Sequence, residues 1–367
     1  MPPATEQFIL NIGPIHPSTH GVFRMRVTMD GEIIQDVEPV FGYLHRGVEK
    51  LCERHTYKQN IPLTDRLDYV SAINNNWPYV MAVEKLADIQ VPLRAEYLRV
   101  IMGELQRIAS HILAVGSVFN DIGVFYTAMM YMFREREKIV DLLEMVTGQR
   151  LLYNYMRFGG VSMDIPDEFL PALDKFLRVM PGYIDEYDRM LAGNEIVLAR
   201  TKDIGVITPE IAINASTSGP VLRGSGVKWD LRRDAPYSIY DKFEFDIPTG
   251  ATGDCYDRYR VRIEEMRQSL RIIKQAVEQL PPGREKCAVP LRLRPPVGEV
   301  YTTIESPRGM LGCYLVSDGS ERPYRCHFRA PAFLNLTVLK QLLVRQKLTD
   351  AIIIFGSIDI SMGEVDR

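Results

Sequence analysis

Alternating apolar and polar positions open the chain. Residues 7–11 (QFILN) and 22–40 show this two-residue period, and Asp30-Gly31 splits the second stretch. The pattern predicts short strands joined in a hairpin. From Gly42 the period lengthens. Val48, Leu51 and Cys52 share one face of a helix predicted over 45–58, which Pro62 interrupts. Thr64 or Asp65 then caps a helix running to about Ile89, bent near Pro78. The clearest helix covers 92–121, where Leu98, Ile101, Met102, Leu105, Ile108, Ile112 and Val115 recur at helical spacing. Another spans about 125–147, closed by Gly148; its REREK run at 134–138 reads as a solvated face with i,i+4 pairs. A break at 158–161 (FGGV) precedes a helix from Pro166 to about Leu191, with Pro181 as a candidate kink.

Between Gly205 and Gly253 glycine, proline, serine and threonine accumulate and periodicity fades. Residues 255–280 return to helix, with Val261, Met266, Leu270, Ile273 and Val277 inward and PPG as the stop. Segments 298–304, 310–317 and 322–329 read as strands. After Pro331 a helix is expected to about Gln346, and AIIIF leads toward the terminus. The sum is a mainly α chain with small β elements (α+β): a helical bundle with a β-hairpin region at the N-terminus and a small β region near the C-terminus. Its expected divisions are 1–41 (N-terminal β region), 42–204 (bundle), 205–254 (loop-rich), 255–282 (bundle helix) and 283–367 (β region, helix and a tail packing into the bundle).

Composition narrows the function classes. Hydrophobic content of 46% and charged content of 25% are ordinary for a globular protein, and a net charge of −3 leaves no nucleic-acid footprint. The five cysteines, Cys52, Cys255, Cys287, Cys313 and Cys326, form no C-x-x-C. That argues against a disulfide framework, a zinc knuckle or iron–sulfur ligation by this chain, and for a reducing compartment. The start MPPATEQ lacks a basic region followed by an apolar run, so no signal peptide is expected. Apolar runs are too short to span a bilayer, so the expectation is a soluble chain able to dock on a membrane complex.

Candidate chemistry concentrates at residues 11–22, NIGPIHPSTHGV, which hold two of the six histidines. Gly13, Pro14, Pro17 and Gly21 shape a loop rather than a helix. His16 and His20 are four apart, a spacing that suits a metal on a helix, but Pro17 and Gly21 oppose helix and no carboxylate completes a site. RGSG at 223–226 lacks the strand and helix a dinucleotide loop needs, and there is no P-loop or nucleophile elbow. Tyr69, in DRLDY, reads locally as a core or interface tyrosine, and Asp121, in FNDIG, as a turn residue.

Taken together, ordered segments resemble one family. GPIHPSTHGV, GYLHRGVEK, IPLTDRLDY, AVEKL, RVIMGELQRIASH, FREREK, VTGQR, RFGGV and the terminal DISMGEVDR resemble the 49-kDa-type subunit of respiratory complex I, the NADH-quinone oxidoreductase, over nearly the whole chain. That family is similar in fold to the large subunit of nickel–iron hydrogenases, and RGVE at 46–49 and ESPRG at 305–309 resemble hydrogenase motifs. Hydrogenases hold their metal with two C-x-x-C pairs. Here the terminal pair's positions, after Asp359, are Ser361 and Glu364, and the other pair's region reads RLDYVS. Without thiolates a soft metal centre has no ligands, so no metal is expected and the emptied site is free for another substrate.

The resemblance implies that substrate is quinone, bound at the interface with a small iron–sulfur subunit. His20 and Tyr69 match the family's headgroup histidine and tyrosine, Asp121 the carboxylate paired with that histidine, and Arg46 and Arg66 arginines near the partner's terminal iron–sulfur cluster. His16 has no role beyond shaping the loop. Quinone reduction adds two electrons and two protons, so developing oxyanions need pre-placed donors, and histidine and tyrosine are suitable acids. The implied protein is a proton-translocating oxidoreductase subunit of the respiratory electron-transport chain. It is peripheral on the cytoplasmic side of the inner membrane, in a hetero-oligomer with other peripheral-arm subunits and a membrane-arm subunit at the quinone entrance. It ligates no cofactor itself, and the upstream donor (NADH, reduced deazaflavin or ferredoxin) enters through other subunits. The competing readings are a membrane-bound hydrogenase large subunit and a non-catalytic scaffold.

One position departs from the family pattern. Members often carry a histidine shortly after T-G-x-R, near the cluster, whereas here Leu151 and Leu152 follow TGQR. A leucine cannot titrate. The cluster's midpoint potential is therefore expected to vary weakly with pH; a redox titration giving a slope of ~59 mV per unit around neutrality, one proton per electron, would overturn this.

Overall fold

The computed structural model describes residues 7–123 and 127–367. Six N-terminal residues of the start read for a signal peptide, and the expected helix start at 125, lie outside the described residues.

Strands β1 (Gln7–Ile12), β2 (Arg24–Asp30) and β3 (Ile33–Val40) form an antiparallel sheet in that order. The β2–β3 turn is the expected one, with Gly31 at φ 60°. Helix α1 (Val48–Arg54) stops before the expected end. The Gln59 side chain accepts a hydrogen bond from Thr56 N–H at 3.0 Å and starts a second helix, α2 (Tyr57–Thr64), which contains Pro62. The helix expected from Thr64 or Asp65 begins only at Ala72, as α3 (Ala72–Leu86). Residues 65–71 form turns instead, because Asp68 Oδ1 accepts from Val70 N–H at 3.1 Å and its other oxygen is held by Arg308.

Helix α4 (Leu93–Asp121) is the axis of the bundle. It contacts α3, α5 (Thr127–Thr147), α11 (Cys255–Glu278) and α14 (Leu348–Ile358). A Cβ on Gly103 would lie 2.9 Å from Trp77 Cζ3, so glycine lets α3 and α4 meet there. The 134–138 run is not a wholly solvated face: Glu135 is fully buried, between Arg134, Lys138 and the Tyr187 hydroxyl of the neighbouring helix α6 (Phe169–Leu191). Between α5 and α6 the FGGV break is a small hairpin, β4 (Met156–Arg157) with β5 (Gly160–Val161).

After α7 (Glu195–Thr201), the loop-rich stretch folds into short helices, α8 (Pro209–Asn214), α9 (Gly219–Gly224) and α10 (Leu231–Asp234), much of it buried. The backbone at 251–253 is already engaged: Asp257 Oδ2 accepts from Ala251, Thr252 and Gly253 N–H at 2.9, 2.6 and 3.0 Å. Helix α11 is capped by Asp254 and packs on α4. Strands β6 (Gly298–Ser306), β7 (Gly309–Ser317) and β8 (Arg325–Arg329) form the second three-stranded sheet, against α3. The single helix expected after Pro331 is broken into α12 (Pro331–Asn335), a 3-10 turn and α13 (Leu339–Leu343). The chain then leaves helix to bond β3, Arg345 N–H to Ile34 O at 2.8 Å and Ile34 N–H to Gln346 O at 3.0 Å. Helices α14 and α15 (Met362–Asp366) end the chain, and residues 359–366 are all buried.

Charge is buried between α4, α10, α11 and the β6–β7 sheet. Glu104 accepts from Arg107 at 3.1 Å, Arg232 at 3.2 Å, and Tyr240 and Ser269 at 2.6 Å. Arg223 joins Glu265 at 2.7 Å and Glu305 at 2.8 Å, and His111 lies 2.8 Å from Glu265. Burial pushes the Glu104 carboxyl up, but Arg107 and Arg232 bring it down to about 2. A depressed carboxyl stabilises the fold above its ordinary pKa of ~4.3, and the contribution is lost as pH falls toward the folded value. Glu104→Gln is expected to lower stability at pH 7 by about 3–5 kcal/mol, because two buried guanidiniums lose their carboxylate. Urea denaturation reads the loss, which should shrink as the pH is lowered below ~4.

Candidate functional site

The histidine loop is built from its glycines, its threonine and the C-terminal tail. A Cβ on Gly13 would fall 1.9 Å from Phe23 O, and one on Gly21 3.1 Å from Met362 Cγ. Thr19 is buried, its hydroxyl 2.7 Å from His16 O and 2.8 Å from Gly21 O. His16 points outward, and its Nδ1 accepts from Ser18 N–H at 3.2 Å. His20 points inward from a left-handed backbone (φ 49°), and its Nε2 lies 2.5 Å from Asp121 Oδ2 at the last residue of α4. The imidazole stands edge-on to Phe355, with centroids 6.2 Å apart. Gly356 makes room for the pair: a Cβ there would lie 3.2 Å from His20 Cε1 and 3.4 Å from Asp121 Oδ2.

Tyr69 comes from the turn at 65–71 and is 39% exposed, open to a ligand. Partial burial and the charge of Asp68 hold its hydroxyl above the usual tyrosine value, so it keeps its proton at neutral pH. His20, Tyr69 and Asp121 line one cavity of about 270 Å³, whose wall also includes Leu113, Met129 and Ile360 and ends on Arg308 and Asp359. Apolar side chains with a few polar groups among them suit a flat, largely apolar ring carrying oxygens.

Arg308 sits at the tip of the β6–β7 hairpin, buried. It pairs with Asp68 through Nη1 and with Asp359 Oδ1 through Nη2 at 3.1 Å. The hairpin tip is fixed by the STSGP loop: Asn335 Nδ2 donates to Arg308 O at 3.1 Å while its Oδ1 accepts from Ser218 N–H at 3.0 Å. A Cβ on Gly219 would lie 2.6 Å from Arg308 O. Burial raises the Asp68 carboxyl; Arg308 pulls it partly back, and Asp359 raises it again.

Arg46 and Arg66 do not enter this cavity wall. They stand together elsewhere, exposed, with Arg46 Nη2 donating to Arg66 O at 2.7 Å. Burial and the Arg66 charge lower the Arg46 guanidinium, and among the described residues no carboxylate pairs with either. The segment before Arg46 is tied to the tail: Gly42 and Leu44 N–H donate to the Asp366 carboxylate at 2.9 and 2.8 Å, and His45 Nδ1 is 2.6 Å from Asp366 O. Leu151 is exposed and Leu152 packs on the main core. No group of three or more histidine, cysteine or acidic side chains among the described residues is arranged to hold a metal. Sequence reasoning does not single out Arg308, Asp68 or Glu364 as site residues. The ESPRG motif is the one signal for the arginine, which finds its carboxylates only in three dimensions.

Comparison with known proteins follows the same lines. The profile of the family described as the 49 Kd subunit of respiratory-chain NADH dehydrogenase matches residues 121–294 and 288–367. The chain is 63% identical over 363 residues to the D subunit of NADH-quinone oxidoreductase from Dehalococcoides mccartyi, covering 99% of both chains. It is 54% identical over 362 residues to the D subunit from Desulforamulus reducens and 52% over 363 residues to that from Clostridium beijerinckii, again over 98–99% of each chain.

Arg308→Gln leaves two buried carboxylates without their cation. It is expected to cost about 3–5 kcal/mol of stability at pH 7.5. Because the lost guanidinium was pulling the raised Asp68 carboxyl down, the cost should shrink as pH falls toward ~4 and that carboxyl takes up its proton. Urea denaturation at the two pH values measures it; equal losses would remove the charge explanation.

Proposed function

The chain belongs to the family of the 49 kDa subunit of respiratory-chain NADH dehydrogenase, and on that premise we propose that its His20–Tyr69 cavity receives the headgroup of a quinone and supplies its protons. At the coarser level it is a subunit of an oxidoreductase complex, NADH-quinone oxidoreductase, and hence part of a hetero-oligomer. The observation that carries the finer reading is the convergence of His20, Tyr69 and Asp121, from three separate segments, on one cavity.

The chemistry fits the groups present. A quinone carbonyl that gains electrons becomes an oxyanion, and donors already in place stabilise it without reorganisation. Tyr69, held protonated by burial, is a weak acid suited to so basic an oxygen. His20 is the second donor, oriented by Asp121 at 2.5 Å. When His20 gives up a proton, the Asp121 carboxylate loses a cationic partner. Asp121 ends the longest bundle helix, so a changed pair there is positioned to shift α4 against α14.

The electrons would come from an iron–sulfur cluster held by a small neighbouring subunit. The exposed Arg46–Arg66 pair, free of carboxylates among the described residues, supports a place beside it, since cations stabilise the more negative reduced cluster. Other peripheral-arm subunits and a membrane-arm subunit at the quinone entrance complete the proposed assembly, with this chain peripheral on the cytoplasmic side of the inner membrane. No helix among the described residues is long and apolar enough to cross a membrane.

His20→Ala and Tyr69→Phe in the assembled complex are each expected to slow quinone reduction by ~10²-fold or more, the usual contribution of a general acid. Reduction of a hydrophilic artificial acceptor by NADH, which reads the upstream electron path, should be unchanged. Normal quinone rates in both variants would refute the reading.

A further inference from the structure

Near the Asp68–Arg308 pair lies a carboxyl that the two donors do not use. Glu364 is buried on the short helix α15. Among the described residues its one side-chain hydrogen bond comes from Ala332 N–H, at 3.3 Å to Oε1. The charged groups facing it are Asp68 on the 65–71 turn, Arg308 on the hairpin tip, Arg329 at the end of β8 and the terminal Arg367. Arg308 is already engaged by Asp68 and Asp359. Three buried carboxyls therefore share one paired guanidinium, and no ion pair among the described residues reaches Glu364. Leaving three negative charges there would be far more costly than keeping one carboxyl neutral. Glu364 is the one that forms no ion pair among the described residues, so it is the one that carries the proton.

The cluster also connects to the cavity. Asp68 precedes Tyr69 in the chain, and the Tyr69 hydroxyl feels Asp68, Arg308 and Asp359. The Ser361 side chain stands near Asp68, buried, with no hydrogen-bond partner among the described residues. The Gly363 backbone is pressed onto the same turn, where a Cβ would lie 2.6 Å from Leu67 O.

We infer that Glu364 is the proton reservoir for Tyr69, with Asp68 and the Ser361 hydroxyl as the relay between them. This rests on Tyr69 being a donor to quinone. Tyr69 gives its hydroxyl proton to a quinone oxygen made basic by two electrons from the partner's cluster, forming the quinol O–H bond and leaving a phenolate. The phenolate takes a proton through Asp68 and Ser361, and the Glu364 O–H bond breaks to leave a carboxylate. One proton moves from Glu364 to the quinol per turnover, and solvent refills the site afterwards. The filled state fits neutral pH: burial and the Asp68 charge together push Glu364 up to about 8, with Arg308 offsetting them only in part. The reservoir is full below that pH and empties as pH rises through it.

The test is Glu364→Gln in the assembled membrane complex, read as NADH-driven quinone reduction from pH 6 to 9. An amide keeps the acceptor for Ala332 N–H and cannot release a proton. The wild type is expected to slow as pH rises through about 8. The variant should be about tenfold slower at neutral pH, short of the ~10² of a direct donor, and should lack that alkaline limb. Glu364→Asp should restore part of both, and transfer to ferricyanide should be normal. Wild-type rate and profile in E364Q would overturn the reservoir. If Y69F is slow while E364Q is normal, the reservoir alone fails; if Y69F is normal, the donor reading fails first. Should E364Q not assemble, infrared difference spectra of the wild-type complex decide. A protonated-carboxyl band bleached on quinone reduction supports the inference, and its absence overturns it.

Discussion

One buried cation organises the centre of this molecule. Arg308 binds Asp68 and Asp359, from segments far apart in the chain, inside an interior where neither carboxylate could stand alone. That arrangement fixes three things together. It holds residues 65–71 out of helix, it draws the C-terminal tail into the bundle, and it closes one end of the cavity that Tyr69 faces. The hairpin tip carrying Arg308 is itself held by Asn335 and the STSGP loop, so the loop-rich middle of the chain is a support rather than a tether.

The tail then reaches the remaining parts of the site. Met362 packs under Gly21 of the histidine loop, Gly356 of the preceding helix seats the His20–Asp121 pair, and Asp366 anchors the segment that presents Arg46. Residues 356–366 thus touch every element that carries a proposed donor or cation. A polar segment so deeply buried costs desolvation that is recovered only if each group finds a partner. Two in this segment do not, the Ser361 hydroxyl and one oxygen of Asp359, and Asp359 lines the cavity.

The regular elements were legible because their information is local. The hairpin at Asp30-Gly31, the long periodic helix over 92–121, the helix over 255–280 and three C-terminal strands all appear where period and punctuation put them. Readings failed where a distant partner overrode local preference. The turn at 65–71 answers to Arg308, the break after Leu343 answers to β3, and buried Glu135 answers to Tyr187. Motif order also placed the family, which the comparisons show, but it ranked the site unevenly. It pointed to His20, Tyr69 and Asp121, which line one cavity, while Arg308 and Glu364 appeared only as parts of older patterns.

The amino-acid sequence by itself determined the α+β class, the lengths of the major elements and a loop in which glycine and proline present histidine. Those depend on backbone preference and on apolar spacing over a few turns. Tertiary structure alone decided which histidine faces inward, which carboxylate it meets, and which buried acid is left outside the ion pairs. Such pairings depend on the distance between charges in a medium that screens them poorly. That distance is set by packing among segments hundreds of residues apart, which no local pattern encodes.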